Sequence, residues 1–398
     1  MKQHSSRERM LAALNCQSTD YVPCEFMIFT GLRARCADSF ELVERELEMG
    51  LDARVNISDL AISFDPEVST KQWKENVPGE RWPLLHKEYR TPAGKLQMVV
   101  RQTEDWPYGD SVPLFEDYLA ARSKKYLVTS PADLSALRYL FVEPSGEVIE
   151  EFRVRSSRAK AFAQERDLLL CGGWFGFDKP DINEIGHDSM CMGIDALMWL
   201  CGPQAPLLWA YDDPGFLEEL VSIIALWNRR RLEITLDAEV DMVIKRAWYE
   251  GTDFWSPALY SHFIAPVLQA DVNLAHQAGT KFGYIITSGM MGIMDDLLEI
   301  HPDAIVGVDP VQGKGTTLES AQQKVNGRLC LWGGVNSFLT LERGSTQEVR
   351  VAVEKAIAIL GKSGGFVLSP VDNVRELTPA IEDNLKTFID TWKANRYL

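Results

Sequence analysis

The chain has 398 residues, with 41 Lys or Arg against 57 Asp or Glu and a formal net charge of −16; this acidic balance argues against a nucleic-acid partner, whose phosphates need clustered cations. No apolar run reaches the length needed to span a bilayer, and the opening MKQHSSRERM has no signal-peptide core, so a cytoplasmic location is expected. Seven cysteines, at 16, 24, 36, 171, 191, 201 and 330, show no CxxC and no pairing pattern and read as free, mostly buried thiols.

Eight apolar runs with polar ends follow one another along the chain: YVPCEFMIF (21–29), LDARVNIS (51–58), DLLLCGGWF (167–175), VDMVIKRAWYE (240–250), KFGYIIT (281–287), AIVGVD (304–309), LCLWGGVN (329–336) and FVLSPVDN (366–373). Continuous apolar runs without strict alternation are what parallel strands covered on both faces require. Helices with identifiable starts lie between them: Asp212-Asp213-Pro214 before FLEELVSIIALW, Ser256-Pro257 before ALYSHFIAPVL, and Ser345 with Glu348 as a capping box before VRVAVEKAIAIL. Eight βα units predict an α/β fold of the (β/α)8 TIM-barrel type in a single domain, 1–398, with an open doubly wound sheet as the alternative. The largest interruption, residues 59–165, falls between the second and third strands as an insertion. It contains an apparent hairpin, HKEYRTPAGKLQMVVRQT (86–103), turning at Pro-Ala-Gly, and then helical segments from 131 to 164. Such an insertion forms a lid or side wall of the pocket, or else a decorative subdomain or oligomer contact. The basic cluster Arg229-Arg230-Arg231 sits on a predicted helix and reads as a solvated face.

In a barrel of this type function collects where the strands finish. The polar side chains there are Glu25, Asn56, Trp174, Tyr249, Glu250, Thr287, Ser288, Asp309, Asn336, Asp372 and Asn373, with Arg375 just beyond. The fourth run is unusual in placing Lys245 and Arg246 inside apolar sequence. Successive strand residues face opposite sides, so one points inward and the other toward the helices. The inward cation needs a partner: a carboxylate such as Glu25, or a substrate anion. Glu250 ends that run beside Trp248, Tyr249 and Trp255, where desolvation would raise its pKa and suit it to acid catalysis. His187, in the loop NEIGHDSMCMG, lies on the same side and is a candidate for catalysis or substrate contact; a structural role is the alternative.

The segments SRERMLAALNCQSTDYVPCEF, MGLDARVNI, YDDPGFLEELV, SPALYSHFIAPVLQADVNLAHQAGTKFGYI, DDLLEIHPDAIVGVDPVQ, CLWGGVN and GGFVLSP resemble the uroporphyrinogen decarboxylase superfamily over nearly the whole chain. The resemblance implies a TIM barrel and one of two chemistries, cofactor-free decarboxylation of uroporphyrinogen or methyl transfer to or from a corrinoid protein, often with bound zinc. The decarboxylase hallmark after the first strand resembles FMRQAGRYLPEYR, whose arginines hold carboxylates. Here FMIFTGLRARC (26–36) keeps Phe26, Met27 and Gly31 but puts Ile28 and Leu32 at the arginine positions, with Arg33 and Arg35 out of register. Aliphatic groups cannot supply bidentate contacts to a polycarboxylate. The zinc-dependent branch carries His-x-Cys after the fifth strand and Cys after the eighth. The matching positions read Ile285, Thr287 and Asp372, so zinc is not expected at the usual family site.

The resemblance therefore implies a methyltransferase of the O- or N-demethylase type, acting on a small methylated donor and a corrinoid carried by a separate protein. No cofactor and no metal is expected on this chain itself. Expulsion of an alkoxide or phenolate calls for an acid, and Glu250, Asp372 and His187 are the catalytic candidates. Glu25, Asn56, Trp174, Arg246, Tyr249, Thr287, Asp309, Asn336, Asn373 and Arg375 are the candidates for substrate binding. Two alternatives stay open: a decarboxylase or lyase of a smaller acid, held by Lys245 or Arg246 with Arg33 and Arg375, or a non-catalytic binding barrel. The family often forms homodimers, although no segment marks an interface.

Overall fold

The computed structural model describes residues 4–57, 60–173 and 193–397. In chain order the strands are β1 (Arg54–Asn56), β2 (Ser69–Glu75), β3 (Leu84–Thr91), β4 (Gly94–Arg101), β5 (Ser123–Lys125), β6 (Leu169–Gly172), β7 (Met242–Arg246), β8 (Lys281–Ile285), β9 (Ala304–Val308), β10 (Cys330–Asn336) and β11 (Phe366–Val371). Seven of these form one curled parallel sheet in the order β1-β6-β7-β8-β9-β10-β11, and β2 to β5 form a separate four-stranded sheet. Helices join successive parallel strands, the crossover that this pairing demands.

The first apolar run is not a continuous strand. Cys24 and Ile28 make isolated parallel bridges to Leu368 and Asn373. Glu25 N–H donates to Leu368 O at 3.0 Å and Leu368 N–H to Pro23 O at 2.9 Å, while on the other side Asp52 N–H donates to Cys24 O at 2.7 Å. Residues 23–28 thus run beside both β11 and the lead-in to β1. The ladder is broken for local reasons. Pro23 has no N–H to give, Met27 N–H donates to Ser369 Oγ at 3.0 Å, and Met27 O accepts from Arg54 Nη2 at 2.9 Å, so side chains satisfy groups that a ladder would otherwise pair.

Two apolar layers follow from strand alternation. Met242 and Ile244 join Met27, Ile28, Ile285, Val306, Trp332 and Val371 in an inner cluster, with Met10, Ala13 and Leu14 of the helix Ser6–Leu14 packed against it. Val243, Ala247, Phe282 and Tyr284 belong to the larger cluster that includes the covering helices.

The expected helix starts are present. Asp213 accepts from Phe216 N–H at 3.1 Å, Ser256 from Leu259 N–H at 3.3 Å, and Ser345 and Glu348 form the reciprocal capping box. Between β1 and β6, β3 and β4 form the expected hairpin, Thr91 pairing with Gly94 across Pro92-Ala93, and a helix runs over Gly146–Arg166. The arginine cluster needs correction. Arg229 and Arg230 do project and meet Glu233, but Arg231 is fully buried, donating to Leu60 O and Ala61 O with its guanidinium 4.4 Å from the Trp227 ring. One helical turn after Trp227, Arg231 falls on the core face of its helix. All six described cysteines are free, and four of them are buried. Among the described residues no helix is long and apolar enough to cross a membrane.

Candidate functional site at the strand ends

The two cations of β7 part as strand alternation requires. Lys245 Nζ meets Asp271 Oδ2 at 2.7 Å, both buried and on the helix side. Arg246 takes the opposite face and is wholly buried. Its Nη2 donates to both oxygens of Asp117 at 2.8 and 2.9 Å, and its Nη1 lies 3.1 Å from Asp195 Oδ2. The rings of Trp199 and Trp248 lie 4.5 and 4.4 Å from the guanidinium, a cation–π setting that favours a delocalised cation. Burial pulls the Arg246 pKa down, but Asp117 and Asp195 more than offset it and the net shift is upward.

Asp117 belongs to the short helix Asp117–Arg122, within the segment between β1 and β6. It accepts from Tyr249 Oη at 2.6 Å and Trp199 Nε1 at 3.2 Å as well as from Arg246. Asp195, fully buried, accepts from the N–H groups of Trp248 at 3.0 Å and Tyr249 at 2.8 Å. Burial and the neighbouring Asp117 raise the Tyr249 phenol, which stays protonated and can serve as donor. Sequence reasoning named Arg246 and Tyr249 but missed both aspartates that hold them.

Glu25 is not the partner of Arg246. It pairs with Arg54 Nη1, in a site where Arg54 also donates to Asn56 Oδ1 at 3.4 Å. Burial pushes the Glu25 carboxyl up to about 7 against the pull of Arg54. A cavity of about 50 Å³ adjoins it, lined by Phe29, Arg33, Phe40, Glu46 and Arg54 among others. The lone arginine in LDARVNIS was the available signal for this pair.

Glu250 sits in a different buried position. Its Oε1 accepts from Ile194 N–H and its Oε2 from the Tyr284 phenol, with Tyr260 Oη 3.4 Å from Tyr284 Oη. Burial pushes its carboxyl up to about 7, Lys245 opposing and Asp195 reinforcing.

At the ends of β9 and β10, Asp309 Oδ1 accepts from Val311 N–H at 2.8 Å and Gln312 N–H at 3.0 Å, and its Oδ2 from Asn336 Nδ2 at 2.6 Å. Asn336 also caps the following turn, its Oδ1 accepting from Leu339 N–H at 2.6 Å. Thr287 is half-buried against Gly307, where φ is 108° and a Cβ would come within 2.8 Å of Thr287 Cγ2. Ser288 donates to Asp253, which Lys314 meets at 2.9 Å. After β11, Asp372 adopts φ 72°, its side chain 44% exposed and 3.6 Å from Arg375 Nη2. Its surroundings raise its carboxyl by desolvation, Arg375 opposing. Asn373 Oδ1 accepts from Thr30 N–H at 3.2 Å. Arg375 is exposed, with its guanidinium 5.3 Å from the Phe338 ring. Trp174 and His187 lie outside the described residues.

Among the described residues no three His, Cys, Asp or Glu side chains converge as a metal site. Ile285, one of the three positions matching zinc ligands, is packed in the inner apolar cluster, and a hydrocarbon cannot ligate.

Residues 197–394 match the family described as uroporphyrinogen decarboxylase (URO-D). Over these residues the chain is similar to that family. A methyltransferase from Methanosarcina mazei shares the fold over 98% of this chain and 99% of its own, at 16% identity and a TM-score of 0.60. A B12-independent methionine synthase from Shewanella sp. W3-18-1 aligns over 60% of this chain and 65% of its own, at 8% identity and a TM-score of 0.36. A D-psicose 3-epimerase from Clostridium cellulolyticum H10 aligns over 61% and 81%, at 12% identity and a TM-score of 0.32. No curated protein sequence matches the chain. The positions resembling that family's carboxylate clamp hold Ile28 and Leu32, 3% and 4% exposed.

Proposed function

We propose that the protein is a methyltransferase that moves a methyl group from a small O- or N-methylated compound to a corrinoid carried by a separate protein. The observation that carries this reading is the buried, aliphatic pair Ile28 and Leu32. A superfamily member with hydrocarbon at both positions has no clamp there for a porphyrinogen's carboxylates. The M. mazei methyltransferase, similar over nearly its whole length, supports the methyl-transfer side of the family. In this reading residues 23–28 close the parallel sheet into an eight-stranded barrel, and the segment 59–165 forms a side wall whose Asp117 reaches the end of β7.

The chemistry sets what the chain must supply. A reduced corrinoid, when bound on its partner protein, would supply the electron pair of the new bond to the methyl carbon; the oxygen or nitrogen that loses the methyl keeps the pair of the broken bond, and a departing oxygen needs a proton from this chain. Asp372 is the acid best placed to meet a substrate, because its side chain is 44% exposed at the strand-end rim and its carboxyl is raised. Glu250, with both oxygens engaged and no exposure, holds Ile194 and Tyr284 in place and acts through them. His187 remains the alternative acid. The residues at the family's zinc positions, Ile285 and Thr287 with Asp372, do not fit zinc.

The test is a methyl-transfer assay of the purified protein with reduced corrinoid and a panel of methoxylated aromatics and methylamines. Methylated corrinoid, formed with at least one donor in the presence of a chelator and lost in Asp372→Asn, is expected. Absence of transfer with every donor, from protein shown by circular dichroism to be folded, overturns the reading in favour of a carboxy-lyase.

A further inference from the structure

The strand β2 lies at the end of its four-stranded sheet, pairing with β3 on one side and with no described strand on the other. Six of its seven residues are exposed and Trp73 is partly so. An edge like this presents a row of unpaired N–H and C=O groups, a template for another strand. Its sequence, STKQWKE, is self-complementary in one antiparallel register. With two copies centred on Trp73, Lys71 stands opposite the partner's Glu75, Gln72 opposite the partner's Lys74, and the two Trp73 rings lie side by side. Moving the centre to Gln72 sets Lys71 against tryptophan, and moving it to Lys74 sets lysine against lysine. Lysines on an edge ordinarily repel a second edge. Here Lys74 is already met by Asp110 at 3.4 Å in its own chain and faces the amide of Gln72, which accepts from Val112 N–H. Lys71 faces Glu75, a carboxylate 3.1 Å from His86 Nε2, and opposite charges across strands are favourable.

We propose that the outer edge of β2 pairs antiparallel with the same edge of a second copy of this chain, joining two four-stranded sheets into one of eight strands about a twofold axis at Trp73. The contact is isologous, so it closes as a dimer and does not propagate. Trp73 is already fixed for this role by stacking on His86, with ring centroids 4.7 Å apart and planes 7° from parallel. Five residue pairs bury less than the roughly 1,000 Å² of a durable interface, so the dimer forms reversibly with concentration.

Sedimentation equilibrium of the full chain over a hundredfold concentration range tests this. The wild type moves from 44.9 kDa toward twice that mass as concentration rises. Lys71→Glu weakens association about tenfold, because two attractive cross-strand pairs become repulsive, and Lys71→Glu combined with Glu75→Lys restores it. Trp73→Cys gives a disulfide-linked dimer under mild oxidation, since directly opposed strand residues lie about 4.5–5.5 Å apart at Cα, while the wild type, with its own cysteines, does not. A wild type that stays monomeric throughout overturns the proposal. So does a dimer that is indifferent to both charge variants and fails to cross-link through position 73.

Discussion

Tyr284 on β8 donates its phenol proton to Oε2 of Glu250 while Ile194 N–H satisfies Oε1, so a carboxyl beyond the end of β7 is held from two sides with no access to water. Burial lifts this carboxyl from the ordinary 4.5 to about 7. A folded-state pKa above the unfolded one favours the native state at low pH, and that stability is lost as pH rises from 4.5 through 7. Glu25, also raised to about 7, responds in the same window.

Glu250→Gln should therefore flatten the dependence of melting temperature on pH between 4.5 and 7, removing up to about 3 kcal/mol of pH-linked change. Glu250→Ala leaves Tyr284 Oη and Ile194 N–H without their acceptor and should cost about 2–4 kcal/mol near pH 4.5, a deficit that shrinks as pH rises toward 7 and the wild type loses its pH-linked stability. Thermal melts across this range decide the matter; an unchanged slope in Glu250→Gln would show that the carboxyl titrates normally.

Arg246 neutralises two aspartates, one of them wholly buried. Arg246→Met should destabilise the fold by about 3–5 kcal/mol, because it leaves Asp195 as an uncompensated interior charge. Lysine cannot reproduce the forked contacts to Asp117 and Asp195, so Arg246→Lys should recover less than half of the loss. Urea unfolding midpoints measure both, and a loss under about 1 kcal/mol for Arg246→Met would contradict the buried ion cluster.

The 2.6 Å contact between Asn336 Nδ2 and Asp309 Oδ2 fixes the ends of β10 and β9 to one another. Asn336→Ala removes this bond and the cap on Leu339 N–H, and about 2 kcal/mol should be lost. Asn336→Asp turns a donor into a second carboxylate facing the first. Like charges at this distance repel, so at pH 7 Asn336→Asp should cost more stability than Asn336→Ala, which denaturant titration of the two variants will show.

Asp372→Asn should lower methyl transfer by about 10²- to 10⁴-fold while shifting stability by less than about 0.5 kcal/mol, since the side chain is 44% exposed and only loosely met by Arg375. A normal rate in this variant would move the acid role to His187.

The parallel strands were legible because burial on both faces leaves a continuous apolar run with polar ends, a signal strong enough to locate β6 to β11, and Ser345 with Glu348 announced its helix through the capping box. β2 escaped notice because STKQWKE is polar on both faces and apolar periodicity is blind to an exposed edge. Asp117 escaped because DYLAAR reads as the start of a surface helix, and nothing local shows that a tertiary cation lies over it. Arg231 was misplaced by the opposite error, a charge assumed to seek water when its helical phase with Trp227 turned it inward.

The three donors that converge on Asp117 also set a limit for protein engineering. Trimming the chain toward its parallel sheet by excising residues 59–165 would take Asp117 from Arg246, leaving it Asp195, and would strip the phenol of Tyr249 of its acceptor. The segment is part of the electrostatic closure of β7 and cannot be treated as a removable cassette. Fusions and permuted termini belong instead at the hairpin tip Pro92-Ala93, where the exposed turn bears on none of these contacts.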